Sequence, residues 1–213
     1  LANKTKTIMK KVMMMAAAIF AVATVSAQTE AHFGIKGGMN ASELHYTNNS
    51  GNGGAKLDTR IGYHVGLLAH IHKPKSHWAI QPEVMYSLEG AKSNVPLTSD
   101  KNFTNLGYIN VPVLIQYMFD NGFRIQAGPQ LGLLMSAKSK IGSNKTDIKN
   151  QFKTTAFSIP AGVSYLTRGG LGFDARYSFG ISDLSKGTSN YKLHGNNFQF
   201  GIFYQFSDPK IKK

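Results

Sequence analysis

After residue 27 no apolar run reaches the length of a membrane-crossing helix, which needs about 20 residues. Apolar side chains recur instead at every second position, segment after segment. In 60–72 they are Ile61, Tyr63, Val65, Leu67, Ala69 and Ile71; in 77–89, Trp78, Ile80, Pro82, Val84, Tyr86 and Leu88. In 105–119 they are Ile109, Val111, Val113, Ile115, Tyr117 and Phe119. The same period runs through 122–135, 153–166, 170–181 and 197–206, and more briefly through 32–40 with Phe33, Ile35 and Met39. A period of two places successive side chains on opposite faces of a strand, and its Val, Ile, Tyr and Phe content suits strands. Eight strands are therefore predicted, with 22 glycines to serve turns and close approaches.

Alternation alone fits a soluble sandwich as well as a closed barrel. Three features separate the two. Connections alternate in length: 41–59, 90–104, 136–152 and 182–196 are long and polar, whereas 73–76, 120–121 and 168–169 are tight turns. Aromatic residues gather at strand ends, with Trp78, Tyr117, Phe119, Phe123, Tyr165, Tyr204 and Phe206 near the short turns and Tyr63, Tyr86, Phe179 and Phe198 near the long loops. The less apolar face carries Lys36, Glu83, Asp174 and Arg176 in mid-strand, and unpaired charges of that kind are prohibitive in a sandwich core. Long loops at one end, tight turns at the other and two aromatic girdles describe an eight-stranded antiparallel up-and-down transmembrane β-barrel, with short periplasmic turns and long extracellular loops.

The first 27 residues read as an address. Lys4, Lys6, Lys10 and Lys11 precede an apolar run from Val12 to Val25, and Val25-Ser26-Ala27 forms a small-x-small site before Gln28. This is the pattern of a secretory signal peptide. Met9, followed by Lys10 and Lys11, is a candidate initiator. The expected organisation is a signal peptide at 1–27, a barrel at 28–206 and a short periplasmic tail at 207–213. An even strand number places both ends of the barrel on the periplasmic side.

Composition narrows the chemistry. The chain has 213 residues and no cysteine, which excludes disulfide scaffolds and thiolate metal sites. Lys and Arg number 24 against 11 Asp and Glu; residues 1–27 hold four of the basic residues and no acid, so the remainder carries +9. The lysines are scattered, and export argues against a nucleic-acid partner. Gly169-Gly170-Leu-Gly172 reads as a hairpin turn, since a phosphate cradle would need a following helix. His64, His70 and His72 share one face of a strand. A metal site there would require a carboxylate or a further histidine; none is assignable nearby, so no metal is expected. Because no spacing of Ser, His and acid residues selects a triad, no catalytic residue or cofactor is expected either.

The barrel reading assigns roles to charged residues. An eight-stranded ring holds little beyond side chains, so Lys36, Glu83, Arg124, Asp174 and Arg176, with a net charge of +1, are expected to form a lumenal charge network in which Glu83 meets Arg176 across the interior. Two uses are open: a salt-bridged plug or the lining of a narrow path for small polar solutes. The loop 136–152 carries Lys138, Lys140, Lys145 and Lys149 against Asp147, a +3 patch suited to anionic lipid or lipopolysaccharide phosphates. Pro82, Pro112, Pro129 and Pro160 fall inside strands, where each removes a ladder donor, and are expected at bulges or rims.

The stretch Tyr108-Ile-Asn-Val-Pro-Val-Leu-Ile-Gln-Tyr117, followed by Gly122-Phe-Arg-Ile-Gln-Ala-Gly-Pro-Gln-Leu-Gly132, resembles the signature of PorT-type outer-membrane β-barrel proteins. Gly34-Ile-Lys-Gly-Gly-Met-Asn40, Gly170-Leu-Gly-Phe-Asp-Ala-Arg-Tyr177, Gly180-Ile-Ser-Asp183 and the closing Asn197-Phe-Gln-Phe-Gly-Ile-Phe-Tyr-Gln-Phe206 fit the same pattern. The resemblance implies an eight-stranded barrel placed in the outer membrane by the outer-membrane assembly machinery, which reads an aromatic-ended last strand. It implies no single activity; the name-giving member is associated with protein secretion, so secretion-system components are one class of implied partner. The sequence thus leads to a non-enzymatic outer-membrane barrel with partner-contacting loops, with a narrow porin and a secretion accessory as alternatives.

Overall fold

The computed structural model describes residues 29–48, 57–94, 101–187 and 191–206. The expected signal peptide and C-terminal tail lie outside the described residues. Among the described residues the strands are β1 (Glu30–Asn48), β2 (Asp58–His72), β3 (Trp78–Asn94), β4 (Lys101–Met118), β5 (Phe123–Ala127), β6 (Gln130–Ile141), β7 (Asn144–Asp147), β8 (Thr155–Leu166), β9 (Leu171–Gly180) and β10 (Tyr191–Gln205). All pairings are antiparallel, and each of β1, β2, β3, β4, β8, β9 and β10 has a partner on both sides. Pairing of β3 with β4 closes the ring. β5 and β6 are two halves of one stave, both lying between β4 and β8, so the ring has eight staves. β7 pairs only with β6, as a hairpin above the ring.

Closure satisfies the backbone where hydrocarbon offers no hydrogen bonds, and the side-chain alternation then sorts outward from inward. Outward positions are apolar and open: Met39 is 60% exposed, Val65 56% and Phe200 55%. Inward positions include Lys36, Gln81, Glu83, Gln116, Asp174, Arg176 and Gln199, all at 2% or less. This reverses the arrangement of a water-soluble protein.

At the tight-turn end, backbone N–H groups of Ser76, Gly122 and Gly170 donate to the carbonyls of Lys73, Phe119 and Thr167. Gly122 and Gly170 adopt φ of 89° and 85°, the left-handed region that glycine enters without steric cost. Tyr117 packs edge-on against Trp78 and Phe119 with both centroids at 5.1 Å, and Tyr204 against Phe206 at 5.5 Å, forming the girdle at this end. Tyr63 with Tyr86 and Tyr177 with Phe179 lie toward the other.

Two expectations change. The first strand is the longest, 19 residues in place of the nine of 32–40. β3, β4, β6 and β10 also run on into segments read as loops, because ladder hydrogen bonds continue into water without needing the apolar alternation that marks lipid contact. The four prolines also avoid the rims. Pro82 pairs with Val113, Pro112 with Gln130 and Pro160 with Ser178, while Pro129 lies in the break between β5 and β6. There Val113 N–H donates to the Pro129 carbonyl and Gly128 N–H to the Pro160 carbonyl, so the missing donors are concentrated in one belt around neighbouring staves.

On the lipid-contacting outward face, Val65→Arg will cost about 2–4 kcal/mol, while Val65→Leu stays within about 0.5 kcal/mol. Urea unfolding of protein folded into lipid vesicles measures both.

Candidate functional site

The lumen is held by four charges of zero net sum. Lys36 comes from β1, Glu83 from β3, and Asp174 and Arg176 from β9. Arg176 donates from Nη1 to Glu83 Oε2 at 2.8 Å and from Nη2 to Oε1 at 2.7 Å. Its Nε stands 2.8 Å from Asp174 Oδ2. Lys36 Nζ donates to the same Oδ2 at 2.9 Å and lies 3.6 Å from Glu83 Oε2, while Gln81 Nε2 donates to Glu83 Oε1 at 2.6 Å. A two-point guanidinium–carboxylate pair is the strongest of these contacts. Each charge has an opposite partner, the condition under which burying ions becomes tolerable.

Gly201 makes room for this cluster. A β-carbon there would stand 2.9 Å from Asp174 Oδ1 and 3.0 Å from His64 Nε2. Toward the long-loop end, His64 Nδ1 is 2.7 Å from Asn40 Oδ1, and Asn40 Nδ2 donates to Ser87 Oγ at 2.7 Å. Ser87 Oγ and Asn110 Nδ2 in turn donate to Glu89 Oε1 at 2.8 and 2.9 Å. Polar side chains thus fill the ring in successive layers.

Arg124 does not join the four. It enters from β5, close to the short-turn end, and its Nη1 lies 3.4 Å from His70 Nδ1. The cluster is therefore neutral where the sequence suggested five residues and a charge of +1. Register explains the difference: Arg124 pairs with Met118 and Ser164, at the bottom of β4 and β8, well below the level of Glu83.

Above the polar layers the interior turns apolar. Leu44, Ala91, Leu106, Tyr108, Leu134, Ala137 and Leu193 point into the extended ring, and Phe152 and Leu184 fold in from the connecting segments. These two segments are tied together. Lys153 N–H donates to the Leu184 carbonyl, Leu184 N–H to the Leu193 carbonyl, and Lys153 Nζ to Asp183 Oδ2 at 2.7 Å. Sequence reasoning missed this cap; the signal was present in Phe152 and Leu184, apolar residues inside segments otherwise read as polar loops.

The loop lysines divide. Lys138, Lys140 and Lys145 are exposed on the β6–β7 hairpin, with Lys140 directly opposite Lys145 and Lys138 opposite Asp147. Lys149 departs from the expected outward patch. Its Nζ turns back to donate to the Met135 carbonyl at 2.8 Å, satisfying an acceptor that lies beyond the ladder's reach.

The expectation that no carboxylate and no further histidine accompany His72 is also overturned. The β1–β2 register sets Glu30 opposite His72 and His32 opposite His70. Glu30, His32 and His72 each bring a ligand-type atom within 4.8 Å of the others. A long loop joins β1 to β2, so the pairing of residues 30 and 72 could not be counted from a turn.

A closed ring of eight staves, apolar outside and charged within, defines an integral barrel of the bacterial outer membrane. The chain belongs to the family described as Outer membrane protein beta-barrel domain, which matches residues 26–186. No curated protein matches it. Among solved structures it is similar to Neisserial surface protein A, at 17% identity and a TM-score of 0.50 over 83% of this chain and 99% of that one. It also matches Ail, the attachment invasion locus protein of Yersinia pestis, at 15% identity and a TM-score of 0.46, covering 83% and 99% of the two chains. OprG from Pseudomonas aeruginosa matches at 11% identity and 0.44, covering 85% and 98%. At these identities the likeness concerns the fold alone.

Glu83→Ala strands Lys36 and Arg176 with one carboxylate between them and is expected to cost about 3–5 kcal/mol. Lys145→Ala on the hairpin should stay within about 0.5 kcal/mol; unfolding midpoints in detergent compare the two. For Asp183, burial would raise the pKa, but hydrogen bonds from Lys153, Leu193 N–H and the Ser185 N–H and hydroxyl outweigh it and hold the carboxyl well below its ordinary 3.8. A depressed value means that its contribution is complete above that ordinary value and is lost only as pH falls through the folded one. The clasp should therefore persist through mildly acid pH, and Asp183→Asn should speed limited proteolysis of the 148–154 and 182–187 segments at pH 7.

Proposed function

We propose that this chain is a non-enzymatic outer-membrane barrel with a plugged lumen, acting through its extracellular end on envelope or external partners. The observation that carries the reading is the four-charge cluster of Lys36, Glu83, Asp174 and Arg176, buried at mid-lumen and roofed by the Leu44, Phe152 and Leu184 cap. A solute path would require these pairs to part and the apolar roof to lift. What remains available for interaction is the surface, and the β6–β7 hairpin offers three exposed ammonium groups, Lys138, Lys140 and Lys145. Their chemistry suits the phosphates of lipopolysaccharide and other anionic lipids. The PorT-type strand motifs support a finer affiliation within the family and, with it, a second reading as accessory to an outer-membrane secretion system. Tyr204 near the end of β10 and Phe206 just past it support recognition by the assembly machinery during biogenesis.

Purified protein in planar bilayers should show no stable single-channel steps; reproducible steps would replace the plug with a pore. Binding to vesicles containing lipopolysaccharide should fall when Lys138, Lys140 and Lys145 are changed together to Glu, and unchanged binding would remove the hairpin from the proposal. Recovery of secretion components from crosslinked envelopes would favour the accessory reading.

A further inference from the structure

We infer that Glu30, His32 and His72 form a binding site for a divalent transition-metal ion, best matched by zinc, at the periplasmic mouth of the barrel. The three residues are the first and third of β1 and the last of β2, where the register sets Glu30 directly across from His72. Glu30 Oε2 stands 3.6 Å from His72 Nε2 and 3.9 Å from His32 Nε2. Both separations exceed hydrogen-bond length, so the donors converge without bonding one another. In a tetrahedral zinc site the bonds are about 2.0–2.1 Å, placing ligand atoms roughly 3.4 Å apart. The two glutamate–histidine separations stand close to that value, and all three donor atoms lie within 4.8 Å of one another. Glu30, 40% exposed, is free to adjust to an ion, while the two imidazoles, at 16% and 19%, are held in place by their surroundings.

The donor set selects the ion class. Two imidazoles and one carboxylate suit zinc and its first-row neighbours, whereas magnesium and calcium favour all-oxygen shells. Two of the three donors, His32 and His72, border a cavity of about 250 Å³ together with His70, Arg124, Arg168 and Gln205, which gives water and an ion a route to them. His72 has one nitrogen toward this centre, and its Nδ1 is buried without a protein partner. His70 packs beside His72 at 5.2 Å between ring centroids but is engaged by Arg124, which keeps it out of the donor set. A bound ion would pin the start of β1 to the end of β2 and so stiffen the ring at the mouth opposite the apolar cap.

Calorimetric titration of the full chain, purified in detergent without a polyhistidine tag and stripped with EDTA, tests the site. One zinc ion per chain is expected, bound at least 100-fold more tightly than magnesium. Glu30→Gln, His32→Ala and His72→Ala should each weaken zinc at least 10-fold, whereas His77→Ala, on the adjoining turn, should leave it unchanged. Heat-modifiable gel migration establishes that each variant is folded. Zinc should also raise the thermal unfolding midpoint of the parent but not of a Glu30→Gln/His72→Ala double variant. Absence of zinc binding by the parent, equal affinity in the double variant, or an equal loss in His77→Ala would each overturn the assignment.

Discussion

Every backbone donor and acceptor at membrane depth must find its partner within the protein, and that requirement organises this molecule. A sheet meets it only by closing on itself, here through the contact of β3 with β4. Closure with eight staves leaves an interior barely wide enough for side chains. Once lipid claims the apolar face, the other face has only that interior to occupy. Geometry brings Lys36, Glu83, Asp174 and Arg176 together, and each meets an opposite charge that offsets the cost of burying it.

The same alternation changes sign along the strands. Within the membrane, β1 points Lys36, Asn40 and Ser42 inward; one step farther it points Leu44 inward. β10 makes the same change between Asn197 and Leu193, β4 between Asn110 and Tyr108, and β6 between Gln130 and Leu134. Lys138 and Lys192 face outward in the extended region. The switch marks where the surrounding medium passes from hydrocarbon to water. Above it the ring obeys the ordinary rule of apolar inside, and its small core recruits Phe152 and Leu184 from the connecting segments.

The two mouths consequently differ. The extracellular one is roofed by apolar packing and clasped by Lys153 and Asp183. The periplasmic one is polar and open, edged by histidines, Arg124 and Arg168. A charge-filled lumen and an apolar-cored outer end are thus two consequences of a narrow ring whose strands outrun the bilayer at one end.

The sequence by itself determined the stave count, the lipid-facing set and the tight turns, since all three rest on local periodicity and on residues such as Gly122 and Gly170. It also placed Glu83 and Arg176 on a common inward face, because alternation dictates which side of a strand a residue occupies. Tertiary structure decided what depends on register between strands joined by long loops. It separated Arg124 from the charge cluster, turned Lys149 back to Met135, drew Phe152 over the mouth, and set Glu30 and His32 beside His72. A period of two reveals the face of a strand but not the height at which neighbouring strands meet. That height is fixed only when the closed ring brings its hydrogen-bond ladders into step.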